Sequence, residues 1–248
     1  SGFEAVHAPD GLRCASAAGD GVVRRGTKSV DIIWDGITRI DSLKKEAVDA
    51  RAAVADASKA YDWPRVLKLI ADDKELINSC RLNGKSFFTA LHQAAHGGAP
   101  IEIVQRLIDL GAWRTLQNAR GERPVDVAER KGHKHLHEIL KPVLKHRVPN
   151  DVLLKIQYHF HAVIHGRIDR ELPGHNLRLP ELEPLLELDR PSMWFPVPGM
   201  YGGFSYRLES TGVEAILISE SWCRVVGGSG QRHEITSEGS RLVEEGFV

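Results

Sequence analysis

The stretch Thr89-Ala90-Leu91-His92-Gln93-Ala94-Ala95-His96-Gly97-Gly98 limits the folds open to this chain more than any other. A turn signal, Asn83-Gly84-Lys85, precedes it. Ile101, Val104, Leu107 and Ile108 follow at helical spacing and end at Gly111-Ala112. Apolar residues three and four apart share one helix face, and glycine supplies the left-handed residue that stops a helix. The stretch therefore reads as two short helices joined by a glycine turn, with Ala94 and Ala95 kept small where the helices pack closely.

Similar units flank it. Lys44 to Ala60 is rich in the helix formers Ala, Lys, Glu and Arg. Trp63-Pro64 opens a second helix, because proline suits the first helical position, and Val66, Leu67, Leu69 and Ile70 form its apolar side. Downstream, Arg120-Gly121-Glu122-Arg123-Pro124-Val125-Asp126-Val127-Ala128 leads to Lys131-Gly132-His133, then Leu136, Ile139 and Leu140. With its T-x-L-H-x-A-A opening, V-x-x-L-I second helix and G-A ending, the central unit resembles an ankyrin repeat. The downstream unit resembles the R-G-x-x-P-x-D-x-A form of terminal ankyrin units, and the hairpin Val48–Asn78 matches in outline. The resemblance covers residues 47–144, in keeping with a period of about 33. Ser86-Phe87-Phe88 lengthens the central turn beyond the pattern, and Pro100 is inserted before the second helix. The resemblance implies a stack whose turns and first helices present a concave binding face.

The rest of the chain divides into an irregular N-terminal arm (1–42) with one strand at Ser29–Trp34, the repeats (43–147), an amphipathic helix expected to cap the stack (148–168), a proline-rich linker (169–192) and a small β-domain (193–248). Val152, Leu153, Ile156, Phe160, Val163 and Ile164 form the apolar face of the helix. Pro173, Pro180, Pro184 and Pro191 argue against helix throughout the linker. In the β-domain, Val213–Ile218 and Ser219–Val226 are the strongest strand candidates, with Trp194–Val197, Ser205–Leu208, His233–Thr236 and Leu242–Val248 around them. The expected class is α+β: an ankyrin-type α-helical repeat stack followed by a small antiparallel β-domain.

Composition sets outer bounds. The 248 residues are 42% hydrophobic and 27% charged, which excludes a wholly disordered chain. Lys+Arg and Asp+Glu both number 33, so there is no global electrostatic case for nucleic acid or an anionic membrane. A basic stretch, Lys131 to Lys134 and Lys141 to Arg147, reads as a solvated helix face. No apolar run reaches the roughly 18 residues that span a bilayer, and no secretory signal is expected at the N-terminus. Three scattered cysteines, Cys14, Cys80 and Cys223, fit a reducing cytoplasm.

For binding, Phe87, Phe88, Trp113 and Arg114 form the candidate partner-contact set, since aromatic residues and arginine dominate interface hot spots. The competing reading has the same rings covering a junction with the arm or the β-domain. For chemistry, Arg224, His233 and Glu234 form an alternative cluster for anion binding or acid–base work. No nucleophile completes it, and Gly227-Gly228-Ser229-Gly230 fits neither the phosphate-loop nor the nucleophile-elbow pattern. No cofactor is expected. Two histidine pairs, His133/His137 and His161/His165, have the four-residue helical spacing of metal ligands; His161 and His165 are the preferred metal candidates, but no third ligand can be assigned. The function expected is recognition of a protein partner, with a regulator or enzyme centred on the β-domain as the alternative.

Overall fold

The structure, a computed structural model, describes residues 32–169, 172, 174, 176–223 and 228–246. Most of the N-terminal arm, Cys14 and Arg224 lie outside the described residues. The described residues lie in one compact unit of the α+β class.

Six helices pair into three hairpins. They are α1 (Lys45–Lys59) with α2 (Trp63–Asp72), α3 (Ala90–Gly97) with α4 (Ile101–Asp109), and α5 (Pro124–Arg130) with α6 (His137–Leu140). Local chemistry sets their ends. Asp62 caps α2 by accepting from the Arg65 amide, with Pro64 in the first turn. Thr89 caps α3, and His92 returns the bond by accepting from the Thr89 amide. Each hairpin turn has one geometry. A left-handed residue (Tyr61, Gly98 or Gly132) is followed by an amide that reaches back five residues, to the carbonyl of Ala57, Ala94 or Ala128 respectively. First helices pack on first helices, α1 on α3 and α3 on α5; second helices do likewise, α2 on α4 and α4 on α6. Val66, Ile70, Leu91, Val104, Leu107 and Leu136 are buried in the core between the rows.

The C-terminal part is a five-stranded antiparallel meander in sequence order: β1 (Ser192–Val197), β2 (Gly202–Ser210), β3 (Ile216–Cys223), β4 (Ser229–Thr236) and β5 (Gly239–Gly246). Of the two strands expected at Val213–Ile218 and Ser219–Val226, the described residues Ile216–Cys223 form one continuous strand, β3, and Val213 lies before it, exposed in a short 3-10 turn (Gly212–Glu214). Ser229 and Gly230 begin β4.

The helix α7 (Asn150–Ile168) buries its apolar face against the sheet, not against the hairpins. Ile156, Phe160, Ile164 and Ile168 belong to the same core as Phe195, Phe204 and Tyr206. The proline-rich linker also joins that core through Leu182, Leu185 and Leu186, carried by a 3-10 turn at Glu183–Glu187. It is a docked segment: Pro184 sits at the start of that turn, and Leu182 just before it and Leu185 and Leu186 within it are buried. The border between the two cores falls inside one loop: Ala112 packs with the hairpins and Trp113 with the sheet core. The described part of the strand expected at Ser29–Trp34 is a single parallel bridge, Ile33 with Trp194.

Candidate functional site

The turn before α3 carries two adjacent phenylalanines that point to different places. Phe87 adopts φ +53°, a region that costs a non-glycine residue energy. Its ring lies beneath the Arg178 guanidinium, 5.3 Å from the ring centre, and the same guanidinium covers Trp34 at 5.3 Å. Arg178 is held there by the Gln117 carbonyl and the Glu181 carboxylate. Trp113 is 6% exposed and stacks on Trp34. Arg114 donates its amide to Glu187 at 3.2 Å and its Nε to the Ile139 carbonyl at 3.0 Å. Phe87, Trp113 and Arg114 are thus engaged inside the chain, at the junction of hairpin loops and docked linker.

Phe88 turns the other way. It stacks on His92 at 5.4 Å and meets His96 edge-on at 6.1 Å. Half-buried, it separates two open cavities on the side of the molecule formed by α1, α3 and α5 and the turns before them. One, of about 280 Å³, lies between α1 and the Arg81–Phe88 turn and is lined by Ser58, Lys59, Arg81, Lys85 and Gln93 among others. The other, of about 380 Å³, lies between that turn and α5, with Lys85, His96, Arg120, Glu122 and Arg130 on its walls. The turns are braced against each other by the Ala119 amide, which donates to the Ser86 carbonyl at 2.9 Å.

The face is basic. Its carboxylates are already matched: Asp56 is paired with Arg81, and Glu122 with Arg130 at 2.6 Å. The Arg130 guanidinium, then the Asn118 amide, hold Glu122 well below the usual carboxylate range, at about 2. Arg81 likewise lowers Asp56. Lys59, Lys85 and Arg120 have no carboxylate partner among the described residues. Sequence reasoning named Phe88 here and missed the cations around it. Lys85 and Arg120 do stand in the turns before α3 and α5, so their place before a helix was the available signal.

The other sequence candidates fall elsewhere. His233 and Glu234 are neighbours on β4, so they project to opposite faces of the sheet. Glu234 pairs with Arg241 across to β5, while His233 sits opposite Ser219 on β3. Burial, then the positive field of Arg167, lowers the His233 pKa below the ordinary imidazole value. They do not form one cluster, and Arg224 lies outside the described residues. Of the metal candidates, His161 Nε2 donates to the Pro180 carbonyl at 2.8 Å and His165 Nδ1 lies 3.1 Å from Asp169. His133 Nε2 donates to the His96 carbonyl at 3.1 Å, linking successive hairpins. No group of three or more His, Cys, Asp or Glu residues converges for a metal among the described residues. Cys80 and Cys223 are buried free thiols, and burial pushes Cys80 up to about 11. No helix among the described residues is long and apolar enough to cross a membrane.

No protein-family model matches the chain. Among solved structures, the chain is similar to the complex of the predatory endopeptidase Bd0816 from Bdellovibrio bacteriovorus with the immunity protein Bd3460. The identity is 20%, over 48% of this chain and 64% of that one, with a TM-score of 0.32. The match thus spans less than two thirds of that structure's chain.

Proposed function

We propose that residues 43–147 are an ankyrin-type repeat stack and that the protein acts as a binding module for a protein partner in the cytoplasm. The carrying observation is Phe88: an aromatic ring held half-open between two cavities, on the side where ankyrin-type first helices and turns bind. The recurring hairpin turn at Tyr61, Gly98 and Gly132 supports the repeat reading. So does His92, which caps its own helix through Thr89 and reaches the next unit by donating to the Glu122 carbonyl at 3.2 Å. The two buried free thiols agree with a reducing compartment.

The test is affinity capture from the native lysate with the whole chain and three full-length variants. Loss of a captured partner in Phe88→Ala and Arg120→Glu, with retention in His233→Ala, supports the reading. Retention in both face variants overturns it, and loss in His233→Ala alone moves the activity to the sheet.

A further inference from the structure

The sheet has one open edge among the described residues. Beyond β1, the Trp34 amide donates to the Trp194 carbonyl and the Trp194 amide to the Ile32 carbonyl, both at 2.8 Å, so that edge is occupied. At the other edge, β5 pairs with β4 alone. Every residue of β5 from Ser240 to Gly246 is exposed, Leu242 and Val243 at 45% and 43%. An edge strand offers its free amides and carbonyls to a further strand, and proline or lysine commonly guards against this. Neither occurs in Gly239–Gly246. Two other common guards, a bulge and charged side chains, are present. Both are placed so that the strand matches a copy of itself.

The register shows how. Arg241 stands opposite Glu234 on β4, and Glu244 opposite Arg232. Glu234 and Arg232 are two apart and share a face of the sheet, so Arg241 and Glu244 share it as well. In a regular strand residues three apart could not. The bulge permits it, because Val243 has no partner on β4. Residues opposite each other in an antiparallel pair lie on one face. Turned end for end about a point between Leu242 and Val243, β5 therefore meets its own copy with Arg241 opposite Glu244 on a common face. Leu242 then stands opposite Val243 at the centre, and Ser240 opposite Glu245. Glu244 is open to this role: Arg232 pairs with Glu220 instead, and Glu244 makes no ion pair among the described residues. Arg241 touches Glu234, but its side chain is 73% exposed, and a guanidinium has N–H donors to spare.

We propose that two copies of this chain join edge to edge through β5, antiparallel across a two-fold axis between Leu242 and Val243, with Arg241 of each copy facing Glu244 of the other. The contact is the same on both copies, so it closes at a dimer. One strand pair is smaller than the roughly 1,600 Å² of a standard interface, so association is expected at micromolar concentrations or above. No residue of β5 lines the Phe88 cavities, and the proposal stands or falls apart from the binding-module reading.

Sedimentation equilibrium of the full chain, from about 1 μM to about 1 mM, tests it. A monomer–dimer equilibrium that weakens as salt rises is expected. Arg241→Glu and Glu244→Arg each set like charges opposite each other at both ends of the contact, and each is expected to weaken the dimer at least about tenfold. Mixing the two variants restores opposite charges at both ends and should restore association, as should the double variant. Arg241→Glu also faces Glu234 within its own chain, a repulsion that mixing leaves in place, so recovery in the mixture reports contact between copies. Val243→Lys places a charge at the centre and should abolish the dimer; the site is exposed, and circular dichroism checks that the fold is kept. A monomer throughout overturns the proposal, whether the edge stays bare or a strand from elsewhere in this chain or from another protein takes it. A dimer that neither charge variant weakens forms through another surface and overturns it too. Weakening in both single variants without recovery in the mixture overturns the pairing of Arg241 with Glu244.

Discussion

Trp34 and Trp113 lie face to face, ring centres 6.0 Å apart and planes within 6° of parallel. One comes from the segment that bridges to β1 and the other from the loop after α4, so a single stacked pair joins the N-terminal segment, the helical hairpins and the sheet core. Truncating either ring is expected to cost about 3–5 kcal/mol of stability. A double-mutant cycle on Trp34→Ala and Trp113→Ala should give a coupling of about 1 kcal/mol. Urea unfolding measures both. An unchanged midpoint in Trp113→Ala, with weakened partner binding, would restore Trp113 as a contact residue.

Glu187 is the acceptor for three donors from the loop after α4: the Arg114 amide, the Thr115 amide at 2.8 Å and the Thr115 hydroxyl at 2.6 Å. Thr115 is fully buried. Glu187→Ala leaves these donors without their acceptor and is expected to destabilise by about 2–4 kcal/mol. Glu187→Gln keeps an acceptor oxygen and should cost less. Capture of a partner through the Phe88 face should survive both variants at temperatures where they stay folded, because Glu187 is not among the residues lining the Phe88 cavities.

His92 gives the stability a pH dependence with a definite sign. Burial lowers its pKa from the ordinary 6.5 to about 4, and its bonds to Thr89 and Glu122 use the neutral ring. The unfolded chain therefore takes up the proton first as pH falls. The contribution of this group is complete above about pH 6.5 and is lost as pH falls towards 4. Within that window the slope from this one residue approaches about 1.4 kcal/mol per pH unit. His92→Gln should show a lower plateau and a shallower slope in denaturant unfolding at stepped pH. An identical slope in the variant would assign the acid sensitivity to His96, His161 or His233, whose pKa values burial also lowers.

Gly98 combines a left-handed backbone, φ +64°, with a close neighbour, since an added Cβ would stand 2.6 Å from the His133 ring. Gly98→Ala is expected to cost about 2 kcal/mol from these two sources together. In a His133→Ala background the collision disappears and only backbone strain remains, so the loss should be smaller. Thermal unfolding of the four proteins separates the two. Equal losses in both backgrounds would mean that the imidazole moves aside freely and that His133 does not fix the spacing of the hairpins.

The helical hairpins were legible because their signals are local. Apolar spacing, Pro64 and Pro124 near helix starts, and Gly98, Gly111 and Gly132 at helix ends act within a few residues of the structure they set. The strands were legible in composition, but not the running of Ile216–Cys223 as one strand, which depended on where β2 ended and what it paired with. That His233 and Glu234 face opposite ways follows from strand alternation alone once both sit in β4. Tertiary structure decided the rest. The sequence marked Phe87, Phe88, Trp113 and Arg114 as large side chains in turns, but nothing local tells Trp113 that Trp34 will stack on it, or Phe87 that Arg178 will cover it. The apolar stripe of α7 was plain, yet a stripe states only that burial is required; the sheet, rather than the helical hairpins, supplied the complementary surface. The basic face likewise arises from Lys59, Lys85 and Arg120, which are brought together by helix packing and by the brace between neighbouring turns. Sequence by itself determined the elements, because backbone preference and helix stops are short-range. Only the fold decided which aromatic rings were buried at a seam and which one was left beside a cavity, because burial depends on residues far apart in the chain.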